Sequence, residues 1–190
     1  MKKIALVGSG ELGRRLAYYS ETHGLAEIVG SFDDFEPPGT IKFGMPVLGG
    51  LQDIAEQFRR GAFKAVIIAI GYKHRAFRKQ IFEKLDSQGV SFATFVHPRA
   101  TIENDVSLGK GCVVLTDCTV DMGAVLEDNV FVSSRVFVSH DVRVGSHSYL
   151  APGVQLAGHS QVGQRCFVGI GTSVMDSVRV GDGVVAGVGP

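Results

Sequence analysis

Tryptophan is absent from this chain of 190 residues, and so is any surplus of charge: 19 Lys and Arg stand against 19 Asp and Glu. A chain without basic excess offers no electrostatic footprint for a nucleic-acid backbone or an anionic membrane, so neither is expected as a partner. Long apolar runs are missing as well. The longest, Ala65 to Ile70, falls far short of the roughly 20 residues that cross a bilayer. Met1-Lys2-Lys3 leads straight into Ile4-Ala5-Leu6-Val7, and Gly8 breaks that stretch before it reaches the length of a secretory signal core. Cysteine is scarce. Cys112, Cys118 and Cys166 make an odd count, which without a secretion signal argues for free thiols in a reducing compartment. The expected location is the cytoplasm.

What the chain does have is a period. Ile102, Leu108, Val114, Val120, Leu126, Val132, Val138, Val144, Leu150, Leu156, Val162, Val168, Val174 and Val180 follow one another at every sixth residue without a miss. Helix and strand periods are 3.6 and 2.0, so neither yields a strict six; hexapeptide repeats of a β-solenoid do. Three hexads make one triangular coil, and the fourteen hexads give between four and five coils. Corners fall at Gly109-Lys110-Gly111, Glu127-Asp128-Asn129, Pro152-Gly153 and Gly181-Asp182-Gly183. The three cysteines each stand four residues after a repeat apolar residue, a slot shared with Ala124, Val130 and Val142. They read more simply as small core fillers than as a catalytic thiol. The last repeat is cut at Ala186-Gly187-Val188-Gly189-Pro190. An open coil exposes strand edges, so further residues or a neighbouring subunit are expected to cover it.

Residues 1 to about 95 alternate strand and helix. Strands are expected at Lys3–Val7, Glu27–Phe32, Met45–Leu48, Ala65–Ile70 and Ser91–Phe95. Helices are expected from Leu12 to Ser20, Leu51 to Arg60 and Arg75 to Gln88, the last with Ala76, Ile81 and Leu85 toward the core. The pattern is a small α/β domain with a mostly parallel sheet. His97-Pro98 reads as the hinge, which divides the chain into 1–96 and 97–190.

Two constellations carry chemistry. Gly8-x-Gly10-x-x-Gly13 follows a strand and opens a helix, the context of a phosphate cradle. Asp33 lies 20 residues after Gly13, where an acid would hold a ribose hydroxyl. The domain is half the size of a dinucleotide fold, which favours a mononucleotide or nucleotide-sugar over NAD. A tight turn without a ligand is the plain alternative. The second constellation is Ser139-His140-Asp141. His140 occupies a corner, and the same corner on the next two coils holds Gly158 and Asp176. Glycine there leaves room beside the imidazole for an extended ligand. His140 reads either as a general base, with Asp141 orienting it, or as an exposed corner histidine. His147 and His159 read as surface, His97 as hinge, His23 as a helix end and His74 as loop. No spacing suggests zinc, and there is no Gly-x-Ser-x-Gly elbow.

Six landmarks in order resemble one family. They are Leu6-Val7-Gly8-Ser9-Gly10, Val29-Gly30-Ser31-Phe32-Asp33-Asp34, Pro46-Val47-Leu48-Gly49-Gly50, Ile68-Ala69-Ile70-Gly71, Val96-His97-Pro98 and His140-Asp141 within the repeat. The chain is similar to the two-domain sugar O- and N-acyltransferases, which include sialic acid O-acetyltransferases and bacterial nucleotide-4-amino-sugar N-acetyltransferases. The resemblance implies a Rossmann-like α/β domain followed by a left-handed parallel β-helix. It implies acetyl transfer from acetyl-CoA to a sugar amine or hydroxyl for a bacterial surface glycan, with no metal and no NAD. Nucleotide-sugar binding would map onto Gly8, Ser9, Gly10, Asp33, Asp34, Ile70 and Gly71. His140 would be the general base with Asp141 beside it. Acetyl-CoA would lie between two subunits of a homotrimer, along Gly158 and Ile170. Many relatives carry His where Leu12 stands, and several carry His where Tyr149 stands; a tyrosine hydroxyl can replace that hydrogen bond. Two other classes compete: a non-catalytic nucleotide-binding module, and an NAD-dependent oxidoreductase, which lacks a second half-fold.

Overall fold

The computed structural model describes residues 1–187, so the end of the last repeat at 188–190 lies outside the described residues. The chain divides into two compact units, Met1–Ala93 and a second that starts at Thr94. No helix among the described residues is long and apolar enough to cross a membrane.

In the first unit, β1 (Lys3–Val7), β2 (Glu27–Phe32), β3 (Ile41–Lys42), β4 (Met45–Gly49) and β5 (Ala65–Ile68) form one sheet in the order β3-β4-β2-β1-β5. All pairs are parallel except β3 with β4, a short hairpin that the sequence pattern did not reveal. α1 (Glu11–Thr22), α2 (Ile54–Arg59) and α3 (Arg75–Ser87) complete the unit. β1 and β5 read as continuous apolar runs because strands of a parallel sheet are buried on both faces; Ala5, Leu6, Val7 and Val66 are fully buried. Ile81 and Leu85 of α3 face the core as expected, but Ala76 is exposed, and Arg78 and Phe82 are buried instead. The Arg78 guanidinium donates to the Ile68 carbonyl at 2.5 Å. The expected strand Ser91–Phe95 does not exist as one element. Phe92 bridges Val66 in the first unit, whereas Phe95–Val96 pairs with Val113–Val114 in the second. His97 is therefore not a hinge. It is buried in the first coil, its N–H donates to the Val114 carbonyl at 2.9 Å, and its Nδ1 accepts the Arg99 N–H at 3.1 Å.

The second unit is a left-handed parallel β-helix of two-residue strands. Register repeats every 18 residues: Thr101, Thr119, Phe137, Gln155 and Ser173 stack in one line. The first sheet holds those strands, the second runs from Ser107–Leu108 to Arg179–Val180, and the third from Phe95–Val96 to Val185–Ala186. Repeat residues from Val114 to Leu156 are fully buried. The second inward slot holds the three cysteines, all buried. Each thiol donates to a carbonyl on the next coil: Cys112 to Glu127, Cys118 to Ser133 and Cys166 to Gly181, at 3.0, 2.9 and 3.0 Å. Burial pushes the Cys118 thiol up to about 11, so it stays protonated and unreactive.

Every corner from Gly111 to Gly183 turns on one left-handed residue, at six-residue intervals. Asp141 has φ 58° and His159 φ 56°. Asn, Asp, His and Gly tolerate that region best, which explains the polar residues at the corners.

Candidate active site

In the first unit a cavity of about 580 Å³ opens where β1 meets the glycine-rich turn and β5 meets the segment before α3. Gly8, Gly10, Asp33, Asp34, Ile70 and Gly71 line it. Glycine is required at position 13, because a Cβ there would stand 2.6 Å from the Gly8 carbonyl oxygen; helix and turn touch at that point. Ser9 is fully buried and is not on the lining. Its N–H and hydroxyl both donate to Asp33 Oδ2, at 2.9 and 2.6 Å. Asp33 Oδ1 accepts the Phe35 N–H at 3.0 Å. Asp33 thus clamps the turn, a role its position alone did not reveal. Asp34 Oδ1 accepts the Leu51 N–H at 2.7 Å, and its Oδ2 takes no protein donor among the described residues. Sequence reasoning missed the other lining residues, Phe32, Phe35, Leu51, Ala69, His74 and Phe77. Phe35 is 92% exposed.

Burial pushes the Asp33 carboxyl up, but the Ser9 hydroxyl, the Phe35 and Ser9 N–H groups and the Lys42 charge outweigh it, and the group sits below its usual value of 3.8. A carboxyl lowered on folding stabilises above its unfolded pKa, and that contribution is lost as pH falls through the folded value. Asp33→Asn should therefore destabilise the protein at pH 7, and the gap to the wild type should close as pH drops below 3.8. Urea unfolding at stepped pH checks this; a gap that does not change with pH would refute the clamp.

In the second unit, His140 and Asp141 lie at the corner between the first and second sheets. The His140 Nδ1 stands 3.1 Å from Asp141 Oδ2. An ionised carboxylate only accepts, so Nδ1 carries the proton and the Nε2 lone pair is left for chemistry. Two glycines open this corner. A Cβ at Gly158 would meet His140 Nε2 at 2.6 Å and Asp176 Oδ2 at 3.1 Å. On the coil below, a Cβ at Gly123 would meet Asp141 Oδ1 at 2.5 Å. His140 and Asp141 are 44% and 54% exposed at their side chains, so the imidazole is open to a ligand. His159 is exposed, as expected, but is not a bystander. It stands one coil above Asp141, with Nδ1 3.8 Å from Asp141 Oδ2 and its ring edge-on to His140 at 5.0 Å. The signal was there in the sequence: 159 is 141 plus one 18-residue coil. His147 is half-buried against Asn129, with Nδ1 3.0 Å from its amide nitrogen.

The remaining expected residues lie elsewhere around the coil. Ile170 is 75% exposed at the corner between the third and first sheets. Tyr149 is on the third sheet, stacked 4.5 Å from Phe131 and 5.7 Å from Phe167. His140 and Gly158 share one corner, and Ile170 and Tyr149 do not reach it.

Residues 3–85 match the family model described as the PglD N-terminal domain. Among solved structures, the acetyltransferase domain of PglB from Neisseria gonorrhoeae FA1090 superposes with TM-score 0.87 at 28% identity, covering 97% of this chain and 88% of that one. The same domain in complex with acetyl coenzyme A gives TM-score 0.82 at 25% identity, covering 98% and 96%. PerB from Caulobacter crescentus, in complex with CoA and GDP-perosamine, shares the fold at TM-score 0.82 and 22% identity, covering 99% and 95%. A UDP-3-O-acylglucosamine N-acyltransferase from Bordetella pertussis is 30% identical over 87 residues, which is 44% of this chain but 22% of that protein. The chain thus spans about a fifth of the length of that curated relative.

Proposed function

We propose that this chain is a hexapeptide-repeat sugar acyltransferase, and specifically an acetyl-CoA-dependent N-acetyltransferase acting on a nucleotide-linked amino sugar. The observation that carries the reading is the His140 corner: a partly exposed imidazole oriented through Nδ1 by Asp141, with Nε2 seated against Gly158 in the space that a side chain there would take. The likeness to an acetyltransferase domain that binds acetyl coenzyme A supports the cosubstrate.

The neutral amine attacks the thioester carbonyl carbon, and His140 Nε2 takes the proton that the nitrogen sheds. The Gly158 N–H is our candidate donor to the developing oxyanion. Collapse breaks the carbon–sulfur bond, and the imidazolium returns its proton to the departing thiolate. The acetyl group passes directly, with no acetyl-enzyme. Asp141 stabilises the imidazolium while it exists.

The cavity of the first unit suits the nucleotide. Backbone N–H groups of a glycine-rich turn that opens a helix receive phosphate oxygens, and Asp34 has an oxygen available for a hydroxyl or base N–H. The exposed Phe35 and Phe77 offer faces for stacking. The resemblance implies a homotrimer, in which Ile170 and Tyr149, elsewhere around the coil from His140, would reach acetyl-CoA from a second copy.

Acetyl-CoA with a panel of UDP-, dTDP- and GDP-linked 4-amino sugars, followed by release of free thiol, tests the proposal. The buried cysteines keep the protein's own reaction with the reagent low. Turnover with one amino sugar is the expected result. Turnover only with hydroxyl acceptors, such as a sialic acid, would move the enzyme to O-acetyl transfer. Failure of acetyl-CoA to bind would remove the catalytic reading and leave a nucleotide-binding module.

A further inference from the structure

We propose that His140, Asp141 and His159 together form a binding site for a divalent ion of the zinc class, and that its occupation switches the candidate base off. One ligand atom from each residue can be chosen so that all three lie within 4.8 Å of one another. Asp141 Oδ2 is 3.1 Å from His140 Nδ1 and 3.8 Å from His159 Nδ1. A tetrahedral ion with ligands at about 2.0–2.1 Å sets them about 3.3 Å apart, so small side-chain rotations close the site. Two imidazoles and a carboxylate are the donor set of open zinc sites and of the facial triad, and neither calcium nor magnesium prefers it.

The corner that carries these residues is rigid. Asp141 and His159 both occupy the left-handed corner position on successive coils. The Asp141 N–H donates to the Met122 carbonyl at 2.9 Å, and the His159 N–H to the His140 carbonyl at 3.1 Å. The β-helix thus holds the ligands at one coil spacing, and their exposed sides leave room for a water or buffer ligand in the fourth position.

The consequence follows from imidazole chemistry. A neutral ring has one proton and one lone pair. An ion bound at His140 Nδ1 takes that lone pair, so the proton sits on Nε2, the atom that faces Gly158. Nε2 then has nothing with which to accept a proton. No net proton is released, because the ring only exchanges tautomers. Binding rests on the geometry alone; the inhibition also rests on the acetyl-transfer reading above.

Cobalt(II) is the probe, because its visible ligand-field absorption reports coordination directly. The full chain is titrated in a non-chelating buffer beside His159→Asn and Asp141→Asn, both of which tolerate the left-handed corner. One saturable Co²⁺ per chain is expected, displaced by Zn²⁺, with affinity at least about tenfold weaker in each variant. No visible band in the wild type, or an unchanged band in His159→Asn, overturns the site. In turnover assays the Zn²⁺ concentration for half-inhibition should rise at least about tenfold in His159→Asn; equal inhibition of both proteins overturns the switch. If no acceptor turns over, the titration still decides the binding.

Discussion

His140→Ala is expected to lower kcat for acetyl transfer by about 10²–10⁴-fold, the range that general bases contribute, while acetyl-CoA still binds. The imidazole is 44% exposed at a corner and is not part of the buried core, so the fold should survive its removal. Residual turnover would come from holding amine and thioester together. His140→Asn sharpens the test, because it keeps a polar group near Asp141 but removes the base. Steady-state thiol release with the best acceptor measures both variants. A loss smaller than about tenfold would mean that the attacking nitrogen sheds its proton without His140, and the role given to His140 would fall. A hydroxyl acceptor, being the weaker nucleophile, would suffer the larger loss.

Gly158→Ala should separate activity from stability. The added Cβ would stand 2.6 Å from His140 Nε2 and 2.7 Å from Cε1, closer than any real contact. The ring is the part that can move, since it is half exposed, held through Nδ1 by Asp141 and edge-on to His159. Displacement of the base by about 1 Å costs on the order of 10²-fold in rate. Gly158 is not among the left-handed glycines, so alanine there fits the backbone. Such a change stabilises by about 0.4–1 kcal/mol through the unfolded chain. The expected result is therefore a large fall in kcat/KM with a melting temperature unchanged or raised. Loss of both together would mean that Gly158 serves packing, and full activity would mean that the seat of the ring against Gly158 does not matter to catalysis.

The sites differ in how far the chain announces them. The corner of His140 can be read by counting: residues 18 apart stack, so Gly158 and Asp176 are known neighbours before any coordinate exists. The same count places His159 over Asp141, one coil above. The glycine-rich turn was legible as a turn. That Asp33 closes on Ser9 was not, because a carboxylate at the end of β2 can equally face a ligand or the turn beside it, and only the hydrogen-bond geometry distinguishes the two. The segment 91–96 shows the same limit. Its residues favour extended backbone throughout, and local preference cannot say which unit each will pair with.

By itself the sequence determined the β-helix, its 18-residue register, its buried thiols and the strand–turn–helix order of the first unit. Each of these follows from a repeated local requirement: an apolar residue every sixth position, a left-handed corner between them, a continuous apolar run where a strand is covered on both faces. Tertiary structure alone decided that Phe95–Val96 opens the solenoid, that His97 is buried in its first coil and that Asp33 is a clamp. Those outcomes depend on distances between side chains whose separation along the chain carries no rule, and such distances exist only once the coils have stacked.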